Sequence, residues 1–429
     1  MSKQKGFTTL LVTAMLLIAA LLFSLASYKS VFYQIKRAQN EVMDRKAHWL
    51  AEGGVECAFA EVKASGLMPN DPTFPNTCTT EIADTSIDFT FMSTNQFSIE
   101  ASASPDSIAK ANVTKSAELS SSGKSGAIQT GSNMYAHSSL NFYYPDPGVW
   151  TEGGWQCVAL RYRNEYLPNA SVVNSGLSDK PKGKDCLPDY MTVGTGVAAL
   201  ENDFVHDPNL SPFENFFGVS DADHNDVKNK KFDVVITEKA SPSGSLEYSG
   251  ITNCGKAIKE ALSNGHESVW VEGHCELSGD DYVDVVKASN ESGGIMILIH
   301  DGMFSLYPQV VTVNGSNLNY QGMIFHYNYD YEFNFDGWAG SEAHKQLTHI
   351  PSVFGENVHL ASFYLHGALN LNGGLILDAK HYDSTSKKYI SQNALLNDSL
   401  AMTYNDSYFS KFSSNQNQVR WIKGSWHDF

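Results

Sequence analysis

From Phe7 to Tyr28 the chain runs for 22 residues without a charge. As a helix rising 1.5 Å per residue this run is about 33 Å long, enough to cross a hydrocarbon core of roughly 30 Å. Its surroundings say more than its length. A secretory signal carries its cleavage site after the apolar region; here a short basic leader with Lys3 and Lys5 ends at Gly6, and the Gly6-Phe7 junction stands before the run. Beyond Tyr28 no proline occurs until Pro69, and Val31, Ile35, Ala38, Val42 and Trp49 recur at steps of four, three, four and seven. Lys36, Arg37, Glu41, Asp44, Arg45 and Lys46 take the other faces. The pattern predicts one helix from about Phe7 to about Lys63, half in a membrane and half outside, with the outer half packed on its own domain along that stripe. Gly53-Gly54 reads as its weak point, since each glycine costs about 1 kcal/mol relative to alanine.

A basic leader ending in Gly, a Phe directly after it and an apolar helix following at once resemble the type IV pilin superfamily. The resemblance implies that a prepilin peptidase cuts between Gly6 and Phe7 and that the new N-terminus, Phe7, is methylated. Most pilins carry Glu as the fifth mature residue, where it neutralises the N-terminal amine of a neighbouring subunit; the fifth residue after Gly6 here is Leu11. An unpaired ion in an apolar filament core costs several kcal/mol, so a repeating subunit should not lack that acid. Large PilX-type minor pilins, and their GspK counterparts in type II secretion, are similar to this chain in lacking it, and they sit at the filament tip. The resemblance therefore implies a precursor held in the inner membrane by a single pass through residues 7–28, then a place at the extracellular pilus tip. The implied partners are the prepilin peptidase, the inner-membrane assembly platform, other minor pilins and the major pilin.

At 429 residues the chain is long enough for two or three units. Its net charge of −17, or −19 once Lys3 and Lys5 leave with the leader, opposes direct nucleic-acid binding, which depends on phosphate neutralisation by Lys and Arg. Six cysteines, Cys57, Cys78, Cys157, Cys186, Cys254 and Cys275, contain no CxxC pair, which disfavours a zinc ribbon or a thioredoxin-type site. An exported chain meets oxidising conditions. Sequence order favours three local loops, 57–78, 157–186 and 254–275, among the fifteen pairings that six cysteines allow.

The expected fold class is α+β: a long N-terminal pilin helix with a small antiparallel sheet, then a large, mainly-β C-terminal region. Residues 1–6 form the leader, 7–65 the helix and 66–122 a pilin-like sheet whose strands alternate over 86–93, 96–102 and 110–120. A Ser/Gly-rich linker follows at 120–126. Residues 123–290 start the β region and carry an irregular, disulfide-stapled insertion with one helix near 255–263. Residues 291–429 form the C-terminal β domain. Within it, residues 315–322 and 367–374 align at an offset of 52. Recurring Gly and Asn between short strands suggest stacked coils of a β-solenoid, with a sandwich as the alternative.

Two segments invite chemical readings. Phe325, Tyr327, Tyr329, Tyr331, Phe333 and Phe335 alternate with His326, Asn328, Asp330, Glu332, Asn334 and Asp336; the aromatic row is expected in the core and the polar row in solvent. Asp221, Asp223, Asn225 and Asp226 offer oxygens at calcium-loop spacing, but the Gly and distal Glu of an EF-hand are absent. No cofactor is required on this reading, and calcium is its one candidate. No nucleophile elbow, HExxH, phosphate loop or dinucleotide fingerprint occurs, so no enzyme activity is expected. Two other classes compete: a type II secretion minor pseudopilin, and a secreted adhesin or glycan-binding protein cleaved after Ser24-Leu-Ala26. For the latter speak Lys29, Lys36 and Arg37, which lie on the far side of the apolar run and weaken the positive-inside case for a retained anchor.

Overall fold

The computed structural model describes residues 5–65, 69, 74–92, 96–105, 109–120, 126–244, 246–349, 354–413, 418–422, 424, 427 and 428. Helices and sheets together give an α+β chain in two compact units, one of residues 1–121 with 417–429 and one of residues 122–416.

In the first unit a single helix spans Lys5–Ser65. Only its final third packs on the sheet. Ala47, Ala51, Val55, Ala58 and Val62 are buried against three antiparallel strands, Thr85–Phe91, Gln96–Ala103 and Ala111–Ser120. The sheet contributes Ile87, Phe97, Ile99, Ala101, Val113 and Ala117 to the shared core. Small side chains at steps of four and three let the helix approach closely: a Cβ added to Gly54 would lie 3.1 Å from that of Ala101. Gly54 is thus a close-packing position, and the helix passes through it unbroken. The stripe read from the sequence is not the packed one. Val31, Ile35, Val42 and Trp49 are at least half exposed, because the sheet reaches the helix only from Ala47 onward.

The chain's end returns to this unit, although the sequence assigned it to the C-terminal β domain. Gln418–Trp421 and His427–Asp428 both pair antiparallel with Ala111–Ser120. Trp421 stacks on Phe59 with ring centroids 3.9 Å apart, and Lys115 lies 4.1 Å from the Trp421 ring. Along the chain, residues 122–416 therefore fall between two neighbouring strands of the small sheet.

Inside the second unit parallel pairing dominates. Val234–Glu238, Ser268–Glu272, Ile295–His300, Tyr320–Tyr329 and Leu369–Asp383 are consecutive neighbours in one sheet. Cys275–Leu277, Phe304–Leu306, Ala361–Leu365 and Asn393–Leu396 follow each other in a second. Each pass of the chain thus lays one strand in the first sheet and the next in the second. The three strands Ile128–Thr130, Asn133–Ala136 and Leu140–Tyr144, which open the unit, join the last pass: they pair with Leu375–Leu377, Asn393–Leu396 and Leu400–Tyr404. Leu160–Tyr162, Tyr166–Pro168 and Ser171–Asn174 stack on their other side. The first pass therefore lies between the second and the last.

Residues 123–290, expected from the sequence to carry an irregular insertion, belong to this framework. They contribute strands to both sheets and two helices, Cys254–Ser263 and Gly279–Glu291, that bury Ile258, Ala261, Val285 and Val286 in the main core. Strand Ile295–His300 is buried at every position, as a parallel strand covered on both faces should be. Its odd-numbered isoleucines enter the main core. Met296 and Leu298 enter a second core with Trp270, Phe325 and Tyr327, roofed by Phe213, Phe216 and Phe217.

Candidate functional sites

The N-terminal half of the long helix is the first site. The helix is long and apolar enough to cross a membrane, and none of its most apolar window is buried within the chain. Phe7 is 70% exposed and Leu11 45%; Gly6 is helical in backbone. No carboxylate occurs between Phe7 and Tyr28.

The cysteines pair Cys57 with Cys78, Cys157 with Cys186 and Cys254 with Cys275. The first ties the long helix to the short helix Thr77–Glu81, and the third ties helix Cys254–Ser263 to the second sheet.

The calcium candidates do not form an open loop. Asp221 to Asp223 make one 3-10 turn that runs into helix His224–Lys231. Asp221 pairs with Lys380 and accepts a hydrogen bond from the Tyr327 hydroxyl at 3.1 Å. Asp223 accepts from Ser220 at 2.9 Å, and Asp226 pairs with Lys230 at 2.7 Å. Helical geometry turns neighbouring oxygens outward around the axis, and nearby donors engage three of the carboxylates. Among the described residues no group of three or more His, Cys, Asp or Glu side chains is arranged to hold a metal.

The alternating 325–336 row ends early, since its strand stops at Tyr329 and Asp330 turns with φ of 67°. Phe325 and Tyr327 pack in the core, with Tyr327 stacked 4.1 Å from Phe213. The polar partners His326 and Asn328 are buried too, contrary to the solvated face expected. Asn328 donates to the Gly302 carbonyl and to Gln392, each at 2.9 Å, and accepts from the Gly302 amide at 3.1 Å. His326 meets the same carbonyl at 3.0 Å, and burial lowers its pKa to about 4. These amides and imidazoles satisfy the bend between the two sheets from inside.

Two clefts were not legible in the sequence, because parallel stacking gathers residues far apart in the chain. One, of about 650 Å³, is lined by Glu238, Glu272, His274 and Asp301 among others, all at or just beyond the carboxyl ends of neighbouring parallel strands. Glu272 pairs with Lys228 at 2.7 Å and lies 3.7 Å from His300. His300 and then Lys228 hold its carboxyl down to about 2 against the opposing effect of burial, whereas burial pushes Asp301 up.

The other cleft, of about 640 Å³, lies where the first, second and last passes meet. Tyr144, Trp155 and Tyr404 supply aromatic wall, and Asp146, Asp179 and Asp406 supply carboxylates. Asp146 accepts the Gly126 and Gly148 amides, each at 2.8 Å. Burial outweighs those two donors and lifts its pKa to about 6. Trp155 is pinned by its indole N–H to the Pro181 carbonyl at 2.9 Å and by a bridge to Cys186. Tyr404 donates to Asp406 at 3.3 Å; burial and then the bond to Asp179 raise the Tyr144 phenol. No family model matches the chain, and no curated protein and no solved structure is found to be similar to it.

Proposed function

We propose that the chain is a large minor pilin of the PilX type, held at or near the tip of a type IV pilus, where it promotes the start of assembly. Its bulky unit presents a surface for adhesion, motility or DNA uptake. The observation that carries this reading is the stem. Forty residues of continuous helix, 7–46, pack almost nothing of this chain, and the most apolar part follows a Lys-Gly-Phe junction. Such a helix is not stable facing water; lipid covers it first, and sister helices in the filament afterwards. The exposed Val31, Ile35, Val42 and Trp49 continue the same face toward neighbours. Leu11 leaves no acid for the amine of a subunit above, which suits the last position and no other.

The second unit supports this placement through its size, since residues 122–416 are difficult to repeat in a tight lattice and need the room an apex provides. We read that unit as a β-solenoid: its strands pair in parallel pass after pass in both sheets, as stacked coils require. Direct DNA contact by this subunit is disfavoured by its charge of −17, so other pilins would supply the positive charge for uptake.

The test is the mature N-terminus of protein recovered from sheared surface fibres. Mass spectrometry should find N-methyl-Phe7, and immunogold should label fibre ends. A chain beginning at Ser27, or label spaced along shafts, rejects the reading.

A further inference from the structure

We propose that the cleft at the meeting of the first, second and last passes is a binding site for an organic cation, an alkylammonium group. The proposal goes beyond pilus assembly and does not depend on it.

The first argument is the balance of hydrogen-bonding groups. Among the described residues, those lining the cleft include three carboxylates and no Lys, Arg or His. Much of the donor capacity in its wall is engaged internally: the Gly148 amide by Asp146, the Ser407 amide by Asn405, the Asn405 amide group by Asn372 and the Asn372 amide group by Gln321. Three of these bonds also occupy an acceptor of the wall, but each carboxylate has about four acceptor sites, so acceptor capacity remains. Ammonium groups donate and do not accept, so they fit this imbalance, whereas a sugar hydroxyl brings one acceptor with each donor.

The second argument is the aromatic wall. Tyr144, Trp155 and Tyr404 offer ring surface beside the carboxylates, and a cation is attracted to the face of an aromatic ring. The protein's own Lys182 ammonium shows the attraction, lying 5.8 Å from the Trp155 ring and 5.4 Å from that of Trp150. The buried Asp146 carboxyl is the third contribution. Its two backbone donors and the Arg161 charge do not offset its burial, and a cation in the cleft would act in the same direction as they do.

The site also has an architectural logic. Tyr144 ends a strand of the first pass, Trp155 lies on the hairpin that follows it and Tyr404 comes from the last pass, so the cleft exists only when the end of the unit docks on its beginning.

The full chain in detergent micelles can be titrated with n-butylammonium and with N-acetyl-lysine methylamide, which separates a free amine from a lysine side chain as the source. Saturation-transfer NMR should give saturable binding of at least one of them. Asp179→Asn and Asp406→Asn, both at exposed positions, should each weaken it about tenfold. Glu332→Gln, which removes the same charge elsewhere on the surface, should leave it unchanged. The proposal is overturned if neither cation binds saturably, if n-butanol or lactose binds as well, or if the Asp variants behave like Glu332→Gln.

Discussion

At the scale of single residues, two glycines explain a shift between sequence pattern and register. The windows 315–322 and 367–374 align at an offset of 52, yet Gly322 pairs with Gly373, an offset of 51. A Cβ on Gly373, at φ of 146°, would sit 1.8 Å from the Gly322 carbonyl oxygen, and one on Gly322 would sit 1.9 Å from that of Ile295. Backbone stacked this closely sets the pairing, and the apparent repeat does not. Gly373→Ala should lower stability by roughly 2–4 kcal/mol, whereas Gly244→Ala, with open space around it, should stay within about 0.5 kcal/mol; urea unfolding distinguishes them. Asp146 gives a pH signature. Its folded value of about 6 lies above the ordinary 3.8, so the folded state binds the extra proton and stability falls as pH rises from about 4 to about 6. Asp146→Asn should flatten that slope while lowering stability overall through a lost acceptor. Glu272 acts in the opposite sense: its stabilisation is complete above 4.5 and is lost as pH falls toward about 2. Urea midpoints measured from pH 3 to pH 7 would separate the two windows (roughly 4–6 and 2–4.5).

At the scale of elements, the stem helix divides its labour by side-chain size. Where it meets the sheet it presents mostly small side chains, Ala47, Ala51, Gly54 and Ala58 together with Val55 and Val62, and its exposed length carries Val31, Phe32, Ile35 and Val42. Gly53 and its neighbour Gly54 should therefore respond oppositely. Nothing lies within 4 Å of a Cβ on Gly53, while one on Gly54 meets Thr85 at 3.0 Å and Ala101 at 3.1 Å. Gly53→Ala should stabilise the first unit by about 0.5–1 kcal/mol. Gly54→Val should destabilise it by about 1–3 kcal/mol through overpacking, and amide exchange across Gln96–Ala103 would report both. Sequence periodicity located the helix well, because a 3.6-residue pattern is local. It chose the wrong stripe, because alanine and glycine carry little hydrophobic signal even when a sheet lies directly on them. The strand Tyr320–Tyr329 makes the same point: clean alternation normally marks a half-exposed strand, yet both faces are buried, and the polar one is satisfied by Gly302 and Gln392.

At the scale of the whole molecule, each disulfide lies within one unit, Cys57–Cys78 in the first and the other two in the second. Calorimetry should resolve two transitions. Replacing Cys57 and Cys78 by Ser should lower only the first, by roughly 3 kcal/mol for a loop of that length, and replacing Cys254 and Cys275 only the second. A single transition shifted by both pairs would contradict the division. The membrane-length helix, the antiparallel meander and the local cysteine loops were all legible in the sequence, since each depends on composition or spacing within a few dozen residues. The return of Gln418–Trp421 to the first sheet, the docking of the last pass on the first, and the clefts that result were not. They depend on backbone hydrogen bonds between residues up to about 300 positions apart, and such bonds form between main-chain groups that every residue carries alike, so side-chain pattern alone does not encode which strands meet.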